Sequence, residues 1–199
     1  SSTTSNNASK IYIDKQSRKR QSKSANSILG DFVGSTRKPY IVFDLEETVR
    51  GSKGFSARGA AILSLAHLAT KFYFVMKDTG NGLQVDFNAL EEALQEIGDE
   101  PFLSYGFTFI LFQAHQQITE TKWHHRAHPE SRFLHSGGWK KLTELAVKKS
   151  LFNTSIATPW DLSPNAVIDF YGTVEQIGMA YPDCSEGFKH VPYWADVLM

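Results

Sequence analysis

Residues 39–45 read PYIVFDL, four mostly apolar positions after a proline, closed by a carboxylate and a leucine. A continuous apolar run this short, bounded by turn signals, describes a strand buried on both faces. Residues 55–70, FSARGAAILSLAHLAT, then carry a helical pattern, and residues 71–78, KFYFVMKD, return to a strand. Strand, helix and strand in that order form the unit of a parallel sheet. Upstream, residues 11–13 predict a strand and Asp14 caps a helix in which Ala25, Ile28, Leu29 and Phe32 recur at helical spacing. Gly30 weakens that helix and Gly34 ends it.

Downstream of the loop TGNG at residues 79–82, residues 87–98 place Leu90, Leu94 and Ile97 on one face and glutamates on the other, a surface helix on a core. Residues 101–105 predict a short strand and residues 107–118 a buried helix. Residues 132–136 read as a strand, followed by two glycines and a helix over residues 139–149. Residues 166–172 read as a strand entering a turn and residues 195–199 as a final strand. The expectation is an α/β fold, a mostly parallel sheet with helices on both faces.

Lysine plus arginine balance aspartate plus glutamate at 21 each, so no global field draws in nucleic acid or an anionic membrane. The basic run KQSRKRQSK at residues 15–23 reads as the solvated face of a helix. One cysteine, Cys184, excludes an internal disulfide framework and fits a reducing compartment. No stretch is long and apolar enough for a membrane span, and no signal-peptide pattern opens the chain. A soluble, cytoplasmic protein is expected. The start without Met and the apolar end ADVLM read as a piece of something longer.

Ligands of such sheets bind beyond the carboxyl ends of the strands, which directs attention to residues 1–7, 135–141 and 170–178. SSTTSNN supplies the hydroxyls of Ser1, Ser2, Thr4 and Ser5 to a loop whose N–H groups can converge on an anion, although GxxxxGK[ST] is absent. In HSGGWKK, Gly137 and Gly138 permit a sharp turn or close approach to a flat ring. Trp139 either stacks on a ligand or serves the core. In FYGTVEQIG, Tyr171 is placed to cover a base, with Gly172 beside it, Thr173 to reach a phosphate, and Glu175 to hold Mg²⁺. Each has an ordinary alternative at a helix start.

The ordered segments SSTTSNNASKIYID, PYIVFD, FSARGAAILSL, SYGFTFILF, HSGGWKKL, FYGTVEQIG and EGFKHVPYWADVLM resemble LuxE-type acyl-protein synthetases of the adenylate-forming superfamily, over nearly the whole chain. The resemblance implies the central part of a large N-terminal adenylate-forming domain spanning residues 1–199. The ribose-binding aspartate, the small C-terminal lid and the acylated cysteine would lie beyond residue 199. It implies a two-step reaction: ATP with Mg²⁺ activates a fatty acid to acyl-AMP, and the acyl group passes to a protein cysteine. In bioluminescent bacteria the acceptor belongs to a fatty acid reductase complex. On that basis Ser1, Ser2, Thr4 and Ser5 grip phosphates, Gly137, Gly138, Trp139, Tyr171 and Gly172 flank the nucleotide, and Glu175 binds the metal with Thr173 beside it as a catalytic candidate. Tyr105 and Phe107 border the acyl chain or fill a core. Two alternatives stand: an acyl-CoA ligase of the phenylacetate-CoA ligase type, and a non-catalytic nucleotide- or acyl-binding module. The second draws on Thr3 and Asn6 standing where the family's phosphate loop carries glycines.

Three further features have weaker readings. His124 and His128 have helical spacing, yet WHHRAH with Pro129 reads as an exposed loop. Cys184, in PDCSEG, has no adjacent residue that lowers its pKa. Arg58 and His190 have surface or supporting roles.

Overall fold

The computed structural model describes residues 12, 14–50, 57–172 and 178–196. The first helix, α1 (Lys15–Val33), begins at Asp14, whose carboxylate accepts the Ser17 N–H at 2.7 Å, and ends at Gly34, whose N–H returns to the Gly30 carbonyl at φ +83°. Ile28, Leu29 and Val33 are buried, while Lys15, Lys19, Arg20 and Lys23 are exposed, the solvated basic face expected.

β1 (Lys38–Val42) is buried at every position. It lies inside a six-stranded sheet of order β2-β1-β5-β6-β7-β8, built with β2 (Ala69–Phe74), β5 (Leu103–Phe107), β6 (Arg132–Ser136), β7 (Val167–Tyr171) and β8 (Tyr181–Pro182). The first five are parallel and β8 runs antiparallel to β7. Pro39 cannot donate to the ladder, and the β1–β2 register slips there, between the pairs Lys38–Ala69 and Tyr40–Phe72. The short α2 (Glu47–Arg50) and α3 (Ala57–Ser64) connect β1 to β2, α4 (Phe87–Ile97) precedes β5, α5 (Thr108–Glu120) joins β5 to β6, and α6 (Lys149–Ala157) precedes β7. α4 buries Leu90, Ala93, Leu94 and Ile97, as its periodicity predicts. The mostly parallel α/β architecture is as read from the sequence.

Several boundaries differ. The helix expected to reach residue 70 stops at Ser64, whose hydroxyl bonds back to the Ala61 carbonyl at 2.7 Å. A 3₁₀ turn, Ala66–Leu68, follows, and Ala69 is drawn into the sheet opposite Lys38. The strand expected over residues 71–78 divides at Val75. The Val75 N–H still bonds Val42, but its carbonyl accepts from Asp86, and β3 (Met76–Asp78) leaves to pair with β4 (Leu83–Val85) through the TGNG turn. The strand expected at 101–105 lies two residues later, so Phe107 ends β5 instead of opening a helix. The helix expected over residues 139–149 is a 3₁₀ segment, Lys140–Leu145, with Leu142 outside helical φ/ψ, and the α-helix begins only at Lys149. Leu145 is exposed, whereas α6 buries Phe152, Ile156 and Ala157, so the apolar stripe that anchors a helix lies one segment later. Ala195 and Asp196 are not in a strand; Ile11, Ile13 and residues 197–199 lie outside the described residues.

Candidate functional site

The parallel strands end at one edge of the sheet. From β1 the chain proceeds to β2 on one side, and from β5 it proceeds to β6 on the other. Neighbouring strands whose connections diverge leave a crevice at their carboxyl ends, the place where open α/β sheets receive ligands. The β1/β5 boundary is that switch point, and the ends of β6 and β7 continue along the same rim.

The turn after β6 is held by side chains from β5 and α5. The Tyr105 hydroxyl lies 2.8 Å from Ser136 Oγ, and the Thr108 hydroxyl lies 3.1 Å from the Ser136 carbonyl and 3.0 Å from His135 Nδ1. A carbonyl only accepts, so Thr108 donates to it and receives the Nδ1–H of His135. His135 is buried and its pKa is pushed down to about 4 by desolvation, against the opposing charge of Asp169, whose carboxylate is 3.6 Å away. Among the described residues its Nε2 has no hydrogen-bond partner.

Gly137 and Gly138 follow with φ of +85° and +59°, a pair of left-handed conformations that glycine adopts without strain. A Cβ on Gly137 would touch the Phe107 ring at 3.5 Å, while one on Gly138 would meet nothing within 4 Å among the described residues. The structure thus brings Tyr105, Phe107 and Gly137 together, with both aromatic side chains buried. Burial in an apolar setting raises the Tyr105 pKa, so its hydroxyl stays protonated. Trp139 turns into the helical layer and packs edge-on against Phe112 and Phe152, with centroids at 5.1 and 6.0 Å.

At the end of β7, Phe170 packs on Tyr105 with centroids 6.1 Å apart, and Tyr171 is 57% exposed. Continuing the β6–β7 register by two residues from the His135–Asp169 pair sets Tyr171 level with Gly137. Gly172 packs beside the Met179 carbonyl, and Gly178, at φ +96°, returns the chain within 2.7 Å of the Gln21 backbone as measured from a built Cβ. Thr173 and Glu175 lie outside the described residues, as do Ser1, Ser2, Thr4 and Ser5.

The crevice holds a cluster that sequence reasoning did not assemble. Asp44, just past β1 and only 3% exposed, accepts from the Leu45 N–H at 2.8 Å and from the Thr48 hydroxyl at 2.7 Å. Its other oxygen faces Arg58 Nε at 3.3 Å, and Arg58 Nη2 lies 3.5 Å from Thr48 Oγ1. The available signal was a carboxylate closing a buried strand, where a charge needs a partner.

On the far side of β7, Lys149 and Lys189 both pair with the buried Asp183, and Lys189 also reaches Asp169 at 2.8 Å. Asp183 and Cys184 border an open groove of about 600 Å³ near the starts of β6 and β7, lined also by Phe32, Arg132, Lys149 and Asn153. None of the residues at the strand ends contributes to it. Contrary to expectation, Cys184 has neighbours that lower its pKa: the Phe188 backbone N–H first, then the His190 side chain. His124 lies in an exposed loop as read from the sequence, and among the described residues no group of three or more His, Cys, Asp or Glu side chains converges to hold a metal. Among them, too, no helix is long and apolar enough to cross a membrane.

Comparison with protein families matches residues 1–199 to the model described as acyl-protein synthetase, LuxE. No curated protein and no solved structure matches the chain.

Proposed function

From the premise that the chain belongs to the LuxE acyl-protein synthetase family, a family of ligases acting on a fatty acid and a protein acceptor, we propose that its reaction is ATP-dependent. In the first step a fatty-acid carboxylate oxygen attacks the α-phosphorus of ATP, the bond to the bridging oxygen breaks, and pyrophosphate leaves. In the second a cysteine sulfur attacks the acyl carbon, and AMP departs as the thioester forms.

The observation that supports this reading is the Gly137–Gly138 turn: two consecutive residues at positive φ, space beside Gly138 that no other described residue fills, and exposed Tyr171, at the end of β7, level with Gly137. That arrangement fits a flat base between a bare backbone and an aromatic ring. Tyr105 and Thr108 do not touch the nucleotide in this reading; they hold Ser136 and so fix the turn. Tyr105 and Phe107, buried beneath the turn, would form the inner wall of the acyl site. Ser1, Ser2, Thr4 and Ser5 are assigned to the phosphates, and Glu175, with Thr173 beside it, to Mg²⁺, which supplies charge neutralisation at the phosphates. A water-excluding site protects the mixed anhydride. The protein is expected to exchange labelled pyrophosphate into ATP when given Mg²⁺ and a fatty acid, and Glu175→Ala is expected to abolish exchange. Normal exchange in that variant removes Glu175 from the mechanism, and its absence from the unaltered protein across a panel of carboxylic acids rejects the adenylation step.

A further inference from the structure

We propose that Arg58 binds an oxyanion of the reactants at the β1/β5 switch point, presented there by the buried carboxylate of Asp44. The inference rests on the reading above for the identity of those reactants, but its geometry is independent of the glycine turn. Asp44 is a positioning residue: its two oxygens are taken by Leu45 N–H, Thr48 Oγ1 and Arg58 Nε. A buried carboxylate without its cation is strongly destabilised, which ties the guanidinium to this place in the crevice.

A cation serving only to neutralise Asp44 has no need to reach solvent. The Arg58 side chain is nevertheless 34% exposed. Among the described residues its partners are Asp44 and Thr48, which engage two of the five N–H donors of a guanidinium. The remaining donors form a planar fork that matches a carboxylate or a phosphate bidentately. The cluster also lies at the same strand ends as the turn-holding pair, because Val42 pairs with Tyr105 in the β1–β5 register and Asp44 follows two residues on, while the Tyr105 hydroxyl is 2.8 Å from Ser136. An anchored cation at the same strand ends as the buried aromatic pair Tyr105 and Phe107 suits a molecule with an anionic head and an apolar tail. A phosphate oxygen has the same donor requirement, so the two sources are separated by experiment.

Decanoate, decanol and Mg·ATP are titrated calorimetrically into the unaltered protein, Arg58→Gln and Arg58→Lys. A carboxylate site predicts that Arg58→Gln weakens decanoate on the order of tenfold or more, with decanol unchanged and a partial return in Arg58→Lys. The same loss confined to Mg·ATP assigns the oxyanion to a phosphate. Arg58→Lys keeps Asp44 neutralised, so it decides the matter if Arg58→Gln fails to fold. Decanoate and Mg·ATP affinities equal to those of the unaltered protein, with decanol binding intact, overturn the inference and leave the family reading standing. An unaltered protein that binds none of the three overturns both.

Discussion

His115, on α5, ties the stability of this fold to pH through a neutral imidazole whose tautomer is dictated by its partners. The Trp160 indole N–H, which can only donate, lies 2.9 Å from His115 Nε2. Nε2 is therefore the acceptor, and Nδ1 carries the proton that it donates to the Leu111 carbonyl at 2.8 Å. Phe43 and Phe133 close around the ring, at 5.1 and 5.6 Å between centroids. Protonation would set two N–H groups against each other in an apolar site, and burial lowers the pKa from 6.5 to about 4. Above pH 6.5 neither the folded nor the unfolded histidine holds the extra proton, and the full stability is present. As pH falls from 6.5 to about 4 the unfolded chain takes the proton and the folded one does not. Stability then drops by up to about 1.4 kcal/mol per pH unit, about 3 kcal/mol in all, and levels off below the folded pKa. His135 repeats the pattern, and burial lowers His67 and His125 in the same direction, so the unaltered protein carries further losses of the same sign. Urea unfolding followed by far-UV circular dichroism at a series of pH values from 7.5 to 4 measures them. His115→Gln keeps an acceptor for Trp160 and removes one titrating group, so its decline across this window is expected to be shallower by about 3 kcal/mol. Carboxylate titration is common to both proteins and cancels. An identical pH dependence in the two would refute the reasoning, because it would mean that His115 exchanges protons as freely when folded as when unfolded.

Thr108→Val removes the hydroxyl that links His135 to the Ser136 carbonyl and is expected to cost about 1–3 kcal/mol, with Thr108→Ser restoring most of it in the same urea assay. Gly178→Ala forces a Cβ to 2.7 Å from the Gln21 backbone at φ +96°, and a loss of roughly 1–3 kcal/mol or more is expected in urea unfolding. Gly138→Ala meets no other described residue, so a stability cost of about 1 kcal/mol, that of the backbone strain, is expected. Calorimetry should show a larger fractional loss of Mg·ATP affinity than of decanol affinity in that variant, and equal losses count against a base lying on the turn.

The buried strand within residues 39–45 announced itself because the interior of a parallel sheet leaves no polar face, so the run is read directly from hydrophobicity. The glycine pair at 137–138 was legible for a similar reason, since two successive positive φ values admit few other residues. Periodicity failed where tertiary pairing overrode it. Ala69 and Thr70 continue a helical pattern yet belong to β2, because a parallel partner in β1 claims their backbone. Trp139 and its lysines suggest an amphipathic helix, but the indole is drawn onto Phe112 and Phe152 and the helical turn tightens to 3₁₀. Asp44, Thr48 and Arg58 lie within fourteen residues of one another, and only the switch in strand order makes them a rim cluster. Cys184 gains its pKa-lowering neighbours from a turn that places Phe188 and His190 around it, a matter of chain reversal that residue types alone do not express.

The place of β1 in the strand order has a consequence during synthesis. Both of its hydrogen-bonding neighbours are made after it, and the pair Val42–Tyr105 spans about sixty residues. At roughly 5–20 residues per second, Tyr40, Ile41, Val42 and Phe43 leave the ribosome several seconds before Leu103–Phe107 exists to cover their second edge. In that interval an apolar strand, buried at every position once folded, is half-paired at best, so crowded translation or slowed elongation through residues 70–107 is when this protein is most exposed to aggregation and has the greatest need of a chaperone.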